Sequence, residues 1–318
     1  MSHLLRPPHP GLLALVAAVV LVAACGGGDA TGTATSTSVR DGAEAPARLA
    51  ICGPLAVTAT GKVGTPEATE ISGLVRSPDQ LGVLWANNDS GDRARVFALR
   101  TDGSLIASLE VASAEAVDWE DIAAGPGGSL LLADIGDNRA ARESVDVYRV
   151  AEPKLSSNPT STAPATRLRL RYPDGAHDAE TLLADPRTGE LVIVTKQLDG
   201  RSGVYAARVP ESGTPSSEQT LRRTGSLRLG LGGLATAGDV SGDGRTVAIR
   251  TYGALYAWAR IPGASLAATL KRTPCTGRAG LSREGQGESL ALSRDGRSYF
   301  TIPEGAGATV RRYSVRKQ

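Results

Sequence analysis

The residues best able to do chemistry in this chain are carboxylates at a repeating spacing. Glu70, Glu120, Glu180 and Glu288 each stand at the start of a short apolar stretch, as in Trp119-Glu120-Asp121-Ile122. Aligned by the Gly-containing turns that follow them, they take one equivalent position, with Thr236 in that place in the fourth of five such segments. Converging carboxylates repel unless a cation, a neighbouring Lys or Arg, or protonation neutralises them. An all-oxygen donor set suits a hard cation, and Ca²⁺ is the ion expected in an oxidising, calcium-rich space. Glu70, Glu120, Glu180 and Glu288 are therefore candidate metal ligands. Two other roles stay open for them: accepting backbone N–H bonds that hold neighbouring units together, or catalysis.

A second polar set lies in loops. Asn87, Asn88, Asp89 and Asp92 share one loop; Asp134, Asp137 and Asn138 another; Lys196 and Gln197 a third; Arg250 and Tyr252 a fourth; Glu304 a fifth. If the chain reverses direction at each turn, these loops share one end with the glutamates. Glu70, Asn87, Asp89, Asp118, Glu120, Asp134, Asp137, Asn138, Glu180, Lys196, Arg250, Glu288 and Glu304 then line a binding funnel. The plainer account of each Asp and Asn is turn chemistry, since both bond their own backbone in tight turns.

Several functions are excluded first. Histidine occurs only at His3, His9 and His177, too few for a His-rich zinc or iron site. His177 stands beside Asp178 and Glu180 and could act as a base, but no Gly-x-Ser-x-Gly segment offers it a nucleophile. The net charge of +2, without a concentrated basic run, argues against nucleic acid as a partner. Asp239-Val-Ser-Gly-Asp-Gly244 imitates the start of an EF-hand loop, yet Arg250 stands where a bidentate Glu is required.

The elements that position these groups are strands. Five segments, 69–103, 119–150, 179–209, 235–261 and 287–315, share one pattern. A short apolar run leads to a Gly or Asp-Gly turn, then a second apolar run, a polar loop, and an alternating run ending near an aromatic. The near-continuous runs read as strands covered on both faces, and the alternating one as a strand with a wet face. Further strands are expected at Leu105–Val111, Arg167–Tyr172, Leu221–Leu229 and Ser265–Arg272. Units of four antiparallel strands at a period near fifty residues predict an all-β fold, a β-propeller. The five visible openings favour five blades over six. The last unit lacks a fourth strand, and the stretch around Pro54–Val63 is expected to supply it and close the ring. Trp85, Trp119 and Trp258 are expected to pack between blades.

The N-terminus carries a different signal. Arg6 precedes a 14-residue apolar run at 11–24, short for a membrane span and suited to a signal peptide. Val22-Ala23-Ala24-Cys25 resembles the bacterial lipobox, which implies cleavage before Cys25 and a diacylglycerol on its sulfur. The expected organisation is a signal peptide at 1–24, a Gly/Ser/Thr-rich tether at 25–47 and the propeller at 48–318. Export leaves Cys52 and Cys275 in an oxidising compartment, where they are expected to pair.

The segments Leu84-Trp85-Ala86-Asn87-Asn88-Asp89-Ser90-Gly91-Asp92, Asp118-Trp119-Glu120-Asp121-Ile122, Asp134-Ile135-Gly136-Asp137-Asn138, Tyr148-Arg149-Val150-Ala151-Glu152-Pro153, His177-Asp178-Ala179-Glu180 and Arg250-Thr251-Tyr252 resemble a widespread, largely uncharacterised group of bacterial β-propeller lipoproteins. The likeness spans most of 65–318 and implies a propeller outside the cytoplasm, with no established reaction. The architecture is more distantly similar to the WD40, YncE-like, NHL, phytase-like and gluconolactonase-like propellers, without a full motif of any. The function expected is a binding module on the extracytoplasmic face of the cell membrane, anchored through Cys25. Its ligand would be a protein, a glycan or a small molecule. The alternative is a calcium-dependent hydrolase, of phosphoesterase or lactonase type, using the funnel carboxylates.

Overall fold

The computed structural model describes residues 49–210, 218–230, 232–277 and 281–316. The expected signal peptide, Cys25 and the tether lie outside the described residues. The first strand, β1 (Leu55–Lys62), precedes four complete units. Blade one is β2 (Ile71–Arg76), β3 (Val83–Asn88), β4 (Arg95–Arg100) and β5 (Leu105–Glu110). Blade two is β6 (Trp119–Gly125), β7 (Ser129–Asp134), β8 (Val145–Ala151) and β9 (Thr166–Arg171). Blade three starts with β10 (Ala179–Ala184), β11 (Glu190–Thr195) and β12 (Arg201–Arg208). The chain next adds β13 (Gln219–Thr220) in parallel to β9, then completes blade three with β14 (Arg222–Arg228). Blade four is β15 (Ala237–Val240), β16 (Thr246–Arg250), β17 (Leu255–Ala259) and β18 (Cys275–Gly277). Blade five is β19 (Ala291–Leu292), β20 (Ser298–Thr301) and β21 (Thr309–Val315), with β1 as its outer strand.

This is a five-bladed β-propeller. The innermost strands touch in the order β2, β6, β10, β15, β19 and back to β2, so the ring is closed. The alternating chain directions put the start of each innermost strand at one end of the axis and the turn after it at the other. Gly244 and Gly296 take positive φ, 67° and 63°, in two of those turns, a backbone state that glycine adopts without steric cost.

Burial follows the strand patterns. β3, β7 and β10 are buried at every position, as near-continuous apolar runs predict. Five apolar clusters fill the wedges between adjacent blades. Trp85 and Trp119 sit in the wedge between blades one and two, and Trp258 in that between three and four. Each indole N–H is satisfied, by Glu152, by the Glu115 carbonyl and by the Arg272 carbonyl. These tryptophans pack between blades as their positions predict.

The ring is closed a second way. Cys52 and Cys275 form a disulfide that spans 223 residues and joins the segment before β1 to the outer strand of blade four. One expected strand is different: Ser265–Arg272 holds a short helix, α1 (Leu266–Leu270). Ser265 caps it by accepting from the Ala268 N–H, and the Glu190 carboxylate accepts from the Leu266 and Ala267 N–H groups. The run Leu-Ala-Ala-Thr-Leu after a Ser is a helix start, and the outer strand of blade four is the three-residue β18 instead.

Candidate active site in the axial funnel

β-Bulges aim the central carboxylates. In blade one Ile71 pairs with Asn88 and Gly73 with Asn87, leaving Ser72 as the extra residue. In blade three Ala179 pairs with Thr195 and Thr181 with Val194, leaving Glu180. The register of blade two also shifts between Trp119 and Ile122, at Glu120 and Asp121. A bulge turns its residue out of the strand's alternation. It also revises the alignment of the glutamates. Ser72, and not Glu70, is the blade-one counterpart of Glu120 and Glu180. Glu70 stands one level higher, where its carbonyl accepts the Asp89 N–H just as the Asp118 and Asp178 carbonyls accept Gly136 and Lys196. Its side chain is exposed at the funnel mouth, and the register shift at Ser72 that leaves it there is invisible in an alignment by turns.

Glu120, Glu180 and Glu288 are buried; Asp89, Asp118 and Glu304 are half-buried around them. Two carboxylate triads result, Asp89–Asp118–Glu120 and Asp89–Glu288–Glu304, each with one oxygen per residue within 4.8 Å of the others. Asp89 belongs to both. Ser72 donates to Glu120 at 3.2 Å, Tyr252 to Glu288 at 2.6 Å, and Lys196 to Glu180. Gly136 makes part of this crowding feasible: a Cβ there would lie 2.4 Å from Glu120 Oε1 and 2.5 Å from the Asp118 carboxylate.

Charge crowding is written into the proton affinities. Burial, then Asp89 and Asp178, pushes Asp118 up to about 6. Burial, then a hydrogen bond with Glu288, pushes Glu304 up to about 8. Burial, with Glu180 next, raises Glu120 well above the usual carboxylate range. Burial also raises Asp89, against the Ser90 N–H that it accepts. Lys196 is held in its charged form by Glu180 against the cost of burial.

The other predicted funnel residues have structural work. Asn87 is buried and donates to the Asn88 and Glu120 carbonyls. Asp134 accepts from the Val117 and Asp118 N–H groups and from Arg142. Asp137 caps its own loop through the Ala141 and Arg142 N–H groups. Asn138 is exposed. Arg250 does not line the funnel as a free cation. It is wholly buried and donates to Glu284 at 3.2 Å and to the Ser289 carbonyl at 3.0 Å. Glu284 also accepts from Thr301 and Tyr313, so this pair belongs to the wedge between blades four and five. Sequence reasoning left Ser72 out of the funnel, since a serine gives no signal unless the bulge is known. Asp239 spends its carboxylate on the Val240 and Leu292 N–H groups, in line with the rejection of an EF-hand there.

The bulk of the backbone pinning falls to Asp121. Fully buried, it accepts from its neighbour Ile122 at 2.9 Å, from Leu182 in blade three at 2.9 Å and from Gly238 in blade four at 3.0 Å. One carboxylate thus ties three blades at the axis, and the glutamates beside it are free of that task.

The donors fit a hard divalent cation. They are all oxygens, drawn from blades one, two and five, and Glu180 Oε2 is a buried acceptor without a hydrogen-bond partner among the described residues. No family model matches the sequence, and no curated protein is similar to it at a significant level. Solved structures do resemble it in outline. A gluconolactonase from Xanthomonas campestris matches with a TM-score of 0.48 at 12% identity, over 84% of this chain and 92% of that one. A 6-phosphogluconolactonase candidate from Bacteroides uniformis matches at 0.42 and 16% identity, over 78% and 68%. A third structure, described as a gluconolactonase candidate, matches at 0.44 and 12% identity, over 82% and 92%. At such scores the likeness is one of general architecture and assigns no reaction.

Proposed function

We propose that the funnel is a divalent-cation site that hydrolyses a small oxygen ester, a lactone or a phosphoester. The observation that carries this reading is the pair of carboxylate triads sharing Asp89, with half-buried members on the solvent side. A closed structural Ca²⁺ site takes six to eight oxygen ligands. A triad supplies three residues, which leaves coordination for water and substrate. Asp89 with Asp118 and Glu120, or with Glu288 and Glu304, would hold the ion. The ion would polarise the substrate oxygen and lower the pKa of a bound water. Around it, this chain supplies a fixed positive charge on Lys196 for a developing oxyanion, and Tyr252 to orient Glu288. The absence of a Gly-x-Ser-x-Gly nucleophile is consistent with a route through water.

This reading reverses the preference drawn from sequence, where a surface binding module came first; the open-sided triads are the reason. We also infer export and lipid anchoring at Cys25 on the extracytoplasmic face, with the Cys52–Cys275 disulfide in support. Calcium is the ion we expect, on donor chemistry alone.

The test begins with elemental analysis of the untreated protein and its melting with EDTA and with added Ca²⁺. Lactones and aryl phosphates are then screened with Ca²⁺, Mg²⁺, Mn²⁺ and Zn²⁺. Cation-dependent turnover that Asp89→Asn abolishes while the fold is retained supports the proposal. Turnover indifferent to EDTA, or cation binding without turnover of either class, removes it.

A further inference from the structure

The opposite end of the axis has the reverse chemistry. The turns after the innermost strands converge there around an opening of about 240 Å³ to which all five blades contribute, among them Arg76, Arg187 and Arg294. A groove of about 1020 Å³ along blade five shares Arg76 and Arg294 with it and adds Arg297, Arg312 and Arg316. These arginines are scattered from 76 to 316, so the sequence has no basic run; the ring assembles one.

The acids nearby already hold donors of their own, and in the groove five arginines face two of them, Asp243 and Asp295. Asp239 is buried on two backbone N–H groups, and burial pushes it up to about 7. Asp243 accepts from Ser241 and the Arg245 N–H, and Asp295 from Ser293 and the Arg297 N–H. Asp185, 3.6 Å from Arg187, is already held by Arg260 at 2.6 Å. Arg76, Arg294 and Arg312 have no ion pair or side-chain hydrogen bond among the described residues. The guanidinium groups of Arg76 and Arg312 both lie over the Phe300 ring, 5.6 and 5.8 Å from its centre. These cation–π contacts steady both side chains, and no hydrogen bond among the described residues engages their N–H groups. Burial, then the Arg312 charge, makes Arg76 easier to deprotonate than usual, even with Asp239 and Asp295 acting the other way.

We propose that this end binds a phosphate-bearing anion, held where the opening meets the groove by Arg76, Arg294 and Arg312. Guanidinium forks match phosphate oxygens in pairs, and three of them balance a dianion better than a lone carboxylate. The groove beside them has room for whatever carries the phosphate. The site is independent of the carboxylate funnel and of any reaction there.

The test uses the full chain carrying Cys25→Ser, so that acylation contributes nothing. Titration with inorganic phosphate and pyrophosphate at matched ionic strength is read by calorimetry, and vesicles of phosphatidylglycerol or phosphatidylcholine by co-sedimentation. Arg76→Gln/Arg294→Gln is expected to weaken binding at least about tenfold, the effect of losing one charged hydrogen bond or more. Arg228→Gln, exposed on the outer strand of blade three, should change nothing. If the double variant fails to fold, the exposed Arg312→Gln gives the same reading. Pyrophosphate binding lost in these variants supports the site with a soluble phosphate as source. Vesicle binding that needs phosphatidylglycerol and is lost in the variants supports it with a lipid headgroup as source. Binding of neither, or binding undiminished by the substitutions, overturns the proposal.

Discussion

Loading the funnel with a cation should expel protons, and their number follows from the structure. Glu304 is pushed up to about 8 and Asp118 to about 6. At pH 7 Glu304 then carries about 0.9 proton and Asp118 about 0.1, and a cation binds only the ionised form. An ion on Asp89–Glu288–Glu304 should therefore release about one proton at pH 7 and about 0.1 at pH 9. An ion on Asp89–Asp118–Glu120 should also release protons, since burial and then Glu180 raise the proton affinity of Glu120. Calorimetric titration with Ca²⁺ in buffers of different ionisation enthalpy counts these protons. Without the ion, the sign for stability is fixed. These carboxyls bind protons more tightly folded than unfolded, so they favour the folded state at low pH. That contribution is lost as pH rises from about 4 to 6 for Asp118 and from about 4.5 to 8 for Glu304. Added Ca²⁺ should flatten this decline. Binding without proton release at pH 7 would refute the argument from crowded carboxylates, and no binding at all would refute the cation.

Three further outcomes are expected. Gly136→Ala drives a methyl inside van der Waals contact with Glu120 and Asp118; it should weaken Ca²⁺ binding at least about tenfold and cost the EDTA-treated protein about 1–3 kcal/mol in urea denaturation. Asp121→Ala leaves buried N–H groups of Ile122, Leu182 and Gly238 without their acceptor and should cost about 3–5 kcal/mol in urea denaturation. Cys275→Ser opens a link across 223 residues and should cost up to about 5.4 kcal/mol on the loop-entropy account, read in the same assay without reductant.

The fold was legible because its grammar is local. Asp-Gly and Gly-rich turns between apolar runs mark hairpins, and the incomplete last unit pointed to β1 as the closing strand. The helix at 266–270 is less legible, because Leu-Ala-Ala-Thr-Leu is short enough to read as a strand and only the Ser265 cap marks it as a helix start. The site was legible in residue type and less so in position. Glu120, Glu180, Glu288, Asp89, Asp118 and Glu304 do meet at the axis, since every loop that bears them lies at one end. Glu70 was set too deep because a one-residue bulge at Ser72 changes which side chain turns inward. The burial of Arg250 is not legible in the sequence, because its partner, Glu284, is 34 residues away in the chain and belongs to no repeated position.

The role of the glutamates turns on what holds the ring. A propeller needs its innermost strands joined at the axis, and a ring of Glu accepting backbone N–H bonds would meet that need without any ligand. Here Asp121 does so across blades two, three and four, and Asp239 across four and five. Glu120, Glu180 and Glu288 instead meet a hydroxyl, an ammonium and a phenol, all side chains. Removing the Glu120 carboxylate would cost one bond to Ser72 and relieve repulsion from Glu180 and Asp118. Glu120→Gln should thus leave stability unchanged or raise it in the absence of cation, while Asp121→Ala lowers it. Stabilisation by removal of a charged group is the signature of a site whose carboxylates are kept for a ligand. If urea denaturation in EDTA finds Glu120→Gln as damaging as Asp121→Ala, the funnel is architecture, and the cation reading loses its physical basis.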